Sequence, residues 1–279
     1  MTKIINKISN EIVERLRDDK NLLSLTLVGS SSNYPKKLNE FNDIDFVFIY
    51  NNLKRADIKR LKYIQKSLEE KYSSNKIGIT HTFKIGPIKI ISKKPKTIML
   101  HFLVYSKNNY LKYESNLTRF SFQHHSPLCG KHLNKINSLK KVNFQDLFND
   151  IDGIPAMKEW IVKKKGTYIE PIGRDVKFTD FELKDKQYLE VIFYCVLNLT
   201  MNMERAKRGY FKFNKNTLNQ FESDFPLELN DFPSEIFLLK DKLRKGHNFS
   251  LKELDNIKDK SLKFISQCEL IIKENYLYD

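Results

Sequence analysis

Apolar side chains at Ile4, Ile5, Ile8, Ile12, Val13 and Leu16 recur at close to helical spacing with charges between them, which predicts a helix over residues 4 to 18. Leu22 to Val28 is an apolar run that stops at Gly29 and a polar Ser30-Ser31-Ser32-Asn33 stretch, so it reads as a strand followed by a turn. Ile44 to Tyr50 is dense in β-branched and aromatic residues and predicts a second, buried strand. A helical period returns over residues 55 to 72. Strand-like runs follow at Ile77 to Thr82, Ile88 to Ile91 and Thr97 to Tyr105, separated by Gly86-Pro87 and the basic turn Lys93 to Lys96.

From about residue 150 the pattern changes, and strand-like alternation nearly vanishes. Lys186 to Glu204 predicts a long buried helix, and Leu218 to Phe225, Ser234 to Arg244 and Leu251 to Lys273 predict three more, broken by Pro226, Pro233 and Gly246. The expectation is an α/β domain with a mixed sheet over residues 1–150, followed by an all-α helical bundle over residues 151–279. A length of 279 residues suits two domains or one large one, and 41% hydrophobic with 30% charged residues is the balance of a soluble globular chain.

No apolar run approaches the roughly 20 residues that span a bilayer, and Met1 to Asn10 lacks the apolar stretch of a signal peptide. A cytoplasmic protein with no membrane contact is expected. Cys129, Cys195 and Cys268 are far apart, with no CxxC pair, and read as free structural thiols. The net charge of +15 does change the picture, because it favours a polyanionic partner: nucleic acid, nucleotides or an anionic surface. A codon bias toward Lys also raises the charge, but does not explain why acidic residues fail to keep pace.

The stretch that carries chemistry is LTLVGSSSNYPKKLNEFNDIDFVFIY, residues 25 to 50. Side chains at i and i+2 of a strand share a face, so Asp43 and Asp45 project together. Two such carboxylates repel each other unless a cation lies between them. Hard oxygen ligands in a pair suit Mg²⁺ or Mn²⁺, taken up with phosphate oxygens and water. Gly29 lets the backbone approach a phosphate, and Ser30 offers a hydroxyl and an N–H. An Asp-rich turn before a strand is common by itself. The ordered set of apolar strand, Gly-Ser, twelve residues, Asp-Ile-Asp and a second apolar strand is far more specific.

That set resembles the motif of the polymerase β-like nucleotidyltransferase superfamily. The resemblance implies an α/β core, metal ions held by the two carboxylates, and transfer of a nucleoside monophosphate from a nucleoside triphosphate to an acceptor, with release of pyrophosphate. A second resemblance is to aminoglycoside adenylyltransferases of the streptomycin and spectinomycin type, whose helical C-terminal domain carries a Gly, a turn Lys and an aromatic. Gly209, Lys215 and Phe221 in RGYFKFNKNTLNQF are similarly arranged, which implies that Lys215 contacts the nucleotide phosphates. Leu128 to Lys131 looks like the loop that joins the halves of such proteins.

Members of the superfamily carry a third acid on a later strand, as metal ligand or as base for the acceptor. The corresponding run here, TIMLHFLVY at Thr97 to Tyr105, has no acid and places His101 at that position. A neutral imidazole serves as a general base near pH 7 or as a metal ligand. His101 is equally well read as a core histidine satisfied by hydrogen bonds, and the missing acid also suits a protein that keeps the fold without turnover. His81 is a lesser rival, and His124-His125 reads as a loop feature. Lys163 to Lys165 and Arg205 to Arg208, near Tyr168, Tyr210 and Phe211, read either as an RNA-facing groove or as solvated helix ends.

The leading expectation is therefore an Mg²⁺-dependent nucleotidyltransferase with Asp43, Asp45 and His101 catalytic, Asp43 and Asp45 on metal, and Gly29, Ser30 and Lys215 on the nucleotide. The alternative is an inactive nucleotide- or nucleic-acid-binding protein. RNA, a tRNA end for instance, a protein or a small molecule stands as acceptor. A chain this basic disfavours the polycationic aminoglycosides unless its charge is segregated.

Overall fold

The computed structural model of the protein describes residues 2–29, 43–73, 78–86, 97–139, 141–150, 152–209 and 215–276. The chain divides into two compact units. The first comprises Met1–Glu114, Ser121–Leu139 and Tyr168–Thr179, and the second Ser115–Phe120, Lys140–Thr167 and Asp180–Asp279.

In the first unit, α1 (Thr2–Leu16), β1 (Leu22–Val28), β2 (Asp43–Tyr50), α2 (Arg55–Tyr72), β3 (Gly78–Thr82) and β4 (Thr97–Ser106) follow one another as the hydrophobic pattern predicts. The strand expected at Ile88 to Ile91 and the turn at Lys93 to Lys96 lie outside the described residues. A short helix α3 (Lys107–Tyr113) follows β4, and α4 (Asn116–Phe122) begins the crossing to the second unit and back. Next come β5 (Pro127–Gly130) and α5 (Leu133–Ile136).

The five strands form a mixed sheet in the order β3-β4-β2-β1-β5. β1 is antiparallel to β2 and β5, while β4 is parallel to β2 and β3. Leu128 to Gly130, read from sequence as a connecting loop, thus belongs to an edge strand paired with β1.

β2 lies at the centre of the sheet and every residue in it is buried, which explains its run of apolar side chains without alternation. One face of the sheet, with Ile44, Phe46, Phe48 and Tyr50 of β2 and Leu100, Phe102 and Val104 of β4, packs with Ile5, Ile8 and Ile12 of α1 and Leu61, Ile64 and Leu68 of α2. Burying each such Phe contributes roughly 1.5–3 kcal/mol. The rings of Phe48 and Phe102 meet at 4.6 Å between centroids. The other face holds Val28, Val47, Ile49, Leu103 and Tyr105, with Tyr110 of α3 and Leu133 of α5. This second core is smaller, and part of the same face is occupied by polar side chains.

The second unit contains α6 (Asp146–Asn149), α7 (Ile154–Lys163) and four longer helices, α8 (Asp185–Arg208), α9 (Lys215–Asp224), α10 (Phe232–Arg244) and α11 (Leu251–Tyr276). α8 is buried along most of its length and packs against α7, α9, α10 and α11. Gly209, at φ +71°, ends α8 in the left-handed conformation that a side chain disfavours. Phe221, Phe225, Phe232 and Phe264 meet in the interior of the bundle.

The later half of the chain is not purely helical, however. β6 (Lys165–Pro171) and β7 (Val176–Glu182) form a two-stranded ribbon whose outer end belongs to the first unit, where Ile169 exchanges backbone hydrogen bonds with Ile85. Cys129, Cys195 and Cys268 are free thiols. No helix among the described residues is long and apolar enough to cross a membrane.

Candidate active site

Asp43 and Asp45 are the first and third residues of β2, so strand alternation aims both at the face opposite α1 and α2. They are 4% and 8% exposed. Register places Asp45 in one row across four strands: Val28 of β1, Asp45 of β2, His101 of β4 and Thr82 of β3 are successive cross-strand partners. Asp43 falls one step along, opposite Met99.

His101, 7% exposed, faces Asp45 directly, with Nδ1 2.9 Å from Oδ1 of the carboxylate. Its Nε2 lies 3.0 Å from the backbone carbonyl of Lys84. A carbonyl oxygen only accepts, so the proton of this contact resides on Nε2. Both ring nitrogens therefore meet acceptors, and the imidazole bridges the Asp45 carboxylate to the chain just after β3. The Lys84 ammonium sits 5.3 Å from the centroid of the Tyr168 ring.

Gly29 closes β1 at φ +72°, a conformation in which a side chain is strained. A Cβ there would lie 2.7 Å from Oδ2 of Asp45, closer than real Cβ contacts come. Glycine is required twice over at this position, by the backbone and by the carboxylate, and the end of β1 thereby touches Asp45. Ser30 lies outside the described residues. Lys215 opens α9 in the second unit, and its side chain is not among those described. Phe221 is fully buried in the helical core.

His81 sits on the opposite face of the sheet from His101, where its Nδ1 contacts Glu69 of α2. It is thus separated from the carboxylates. The basic clusters of the second half are largely neutralised by acids: Lys163 pairs with Glu159, Lys164 with Asp185, and Lys207 and Arg208 with Asp224. Tyr168 is buried, which removes it as a stacking surface, and Tyr210 and Phe211 lie outside the described residues.

Several polar groups behind the site went unread in the sequence. The hydroxyls of Ser24 and Thr26 lie 3.0 Å apart, fully buried on the same face as Asp45. Their signal was present in the alternation of LLSLTLV. Gln65 of α2 donates to the carbonyls of Thr82 and Leu100, fixing β3 against β4 beside His101. A glutamine on the buried stripe of an amphipathic helix was the visible sign of it.

The mixed sheet, with its acid pair on the central strand, and the C-terminal helices α8 to α11 make up an α/β fold of the nucleotidyltransferase type. The spectinomycin adenyltransferase AAD(9) of Enterococcus faecialis, solved with ATP and spectinomycin, shares this fold with a TM-score of 0.50. The match covers 96% of this chain and 98% of that one at 14% sequence identity. No protein-family model matches the chain, and no curated protein matches it in sequence.

Proposed function

We propose that the protein is a nucleotidyltransferase that moves a nucleoside monophosphate from a nucleoside triphosphate to an acceptor. The observation that carries this reading is the approach of Gly29 to Asp45 within the Val28–Asp45–His101–Thr82 row. A backbone position without a side chain against Asp45, on the face it shares with Asp43, supports the reading because a phosphate needs close backbone approach beside a metal-holding acid pair. The shared fold of an adenyltransferase solved with ATP agrees with it.

The donor set suits one kind of metal. Among the described residues no group of three or more His, Cys, Asp or Glu side chains is disposed to hold an ion. Two carboxylates alone make a poor free-standing site, but they match Mg²⁺ or Mn²⁺ delivered with a triphosphate, which completes its shell with phosphate oxygens and water. Asp43 and Asp45 would hold that ion, and when bound it neutralises charge on the phosphates.

Gly29 is the close-approach position for the phosphates, and Ser30 is assigned to them on the sequence motif alone. Lys215 is assigned to the phosphates on the sequence resemblance alone. The Lys84 carbonyl keeps a proton on Nε2 of His101, so a base role falls to Nδ1: with Asp45 on the metal, the proton that Nδ1 shares with it passes to solvent, and the freed Nδ1 then takes the acceptor's proton as pyrophosphate leaves. His101 thus positions Asp45 in the resting site and stands where the base is needed.

A second reading, a nucleotide- or nucleic-acid-binding protein without turnover, draws on His101 standing where a third acid is expected. Incubation with each α-labelled triphosphate, Mg²⁺ and, separately, total RNA, protein extract or aminoglycosides decides between them. Label transferred to any acceptor, and lost in the Asp43→Asn/Asp45→Asn double variant, supports the enzyme. Nucleotide bound with no label transferred overturns it in favour of the second reading.

A further inference from the structure

We propose that the outer face of α2 is a docking track for a single-stranded polynucleotide. The inference goes beyond nucleotidyl transfer and does not require it.

Its first support is where the charge lies. The first unit holds 26 of the 49 Lys and Arg and 13 of the 34 Asp and Glu, while the second holds 23 and 21. Nearly all of the net +15 is therefore carried by the sheet unit, and a genome-wide Lys bias would load both units alike. Within that unit the charge is ordered. Ile58, Leu61, Ile64 and Leu68 face the core, and on the solvent side Arg55, Lys59, Lys62 and Lys66 recur at steps of four, three and four residues. All four are exposed, and Tyr63, in the same stripe, is 70% exposed.

Like charges at i, i+3 and i, i+4 destabilise a free helix. Here they are not offset by acids. Among the described residues no carboxylate pairs with Arg55, Lys59 or Lys62, and Lys66 reaches only Glu70, at 3.9 Å with both side chains solvated. Of the other acids on the helix, Asp57 is held by the Lys54 N–H and Asn21, and Glu69 by His81. The contrast with the paired clusters of the second unit is direct. A phosphodiester backbone supplies the missing anions at intervals, and an exposed tyrosine among them supplies a stacking platform. Lys62 also lies over the ring of Phe83, just after β3, on the sheet face opposite the carboxylates.

The test is fluorescence anisotropy with labelled mixed-sequence 20-nucleotide single-stranded RNA and DNA, titrated with the full chain across a salt series. The two arms identify which polymer is the better ligand. Lys59→Ala/Lys62→Ala/Lys66→Ala should weaken binding at least tenfold near 0.1 M salt and make the slope of log K against log salt shallower by about two. Tyr63→Ala should weaken it about fivefold or more with the slope unchanged, and Tyr63→Phe should not. Lys242→Ala/Lys245→Ala/Lys252→Ala in the second unit is the control, expected to bind as wild type. Circular dichroism melts confirm that each variant folds. Absence of binding to both polymers, wild-type affinity in the stripe variant, or an equal loss in the control would overturn the proposal. Asp43→Asn/Asp45→Asn should keep polynucleotide binding, so a failure of the transfer reading leaves this result standing.

Discussion

Nδ1 of His101 lies 2.9 Å from Oδ1 of Asp45, and the opposite ring nitrogen lies 3.0 Å from the Lys84 carbonyl. A buried carboxylate on the central strand is thus tied through one imidazole to the chain that leaves the edge strand. Register makes the contact possible, since Asp45 and His101 are direct partners in the parallel β2–β4 ladder.

Truncating that imidazole should act on chemistry and stability together. His101→Ala leaves Asp45 without this partner, with an expected cost of about 1–3 kcal/mol in denaturant unfolding. Nucleotide transfer should fall roughly 10²- to 10⁴-fold, mostly in kcat, with partial recovery on adding free imidazole. A wild-type rate in this variant would assign His101 to packing alone.

Gly29 admits no Cβ. Gly29→Ala forces a methyl group to 2.7 Å from the Asp45 carboxylate at a positive φ. The fold should survive with a loss of about 1–3 kcal/mol, while triphosphate affinity drops at least about tenfold. Thermal unfolding and equilibrium nucleotide binding measure the two effects separately. Unchanged nucleotide affinity would mean that the end of β1 does not contact the ligand.

The second unit should show a pH dependence of the opposite sign to ordinary acid unfolding. Glu204 is fully buried near the end of α8, and burial, then the negative charge of Asp224, pushes its carboxyl from the ordinary 4.5 up to about 7. Burial likewise raises Asp150 to about 6. A raised folded value means the native state holds the proton more tightly. The stabilisation is therefore complete below about pH 4.5 and is lost as pH rises through about 7. Glu204→Gln cannot ionise, so the melting temperature of wild type relative to this variant should fall between those limits. Parallel curves from pH 4 to 8 would contradict the assignment.

Much of the first unit was legible because its signals are local. The apolar run from Leu22 to Val28 and the 3.6-residue period of Arg55 to Tyr72 coincide with β1 and α2 as observed. The expected shared face of Asp43 and Asp45 needs only strand alternation. What stayed hidden depends on partners distant in sequence. β5 is four residues long and is defined by pairing with β1, and the β6–β7 ribbon is anchored by Ile85, 84 residues before Ile169. Neither leaves a periodic trace strong enough to read. His101 could be singled out by its place in TIMLHFLVY, but its bond to the Lys84 carbonyl could not, because a backbone acceptor has no sequence signature. The basic residues of α2 stand in the sequence, but whether acids pair with them depends on partners distant along the chain, which spacing alone does not show.

The central claim is that Asp43 and Asp45 hold a metal-bound triphosphate against Gly29. Isothermal titration of ATP into the protein, with Mg²⁺ and with chelator, tests it in wild type and in Asp43→Asn/Asp45→Asn. The account predicts Mg²⁺-dependent binding that weakens at least about 100-fold in the double variant, the loss of two charge-assisted ligands, with the circular dichroism spectrum unchanged. Equal affinity in the two proteins, or wild-type binding indifferent to Mg²⁺, would contradict it.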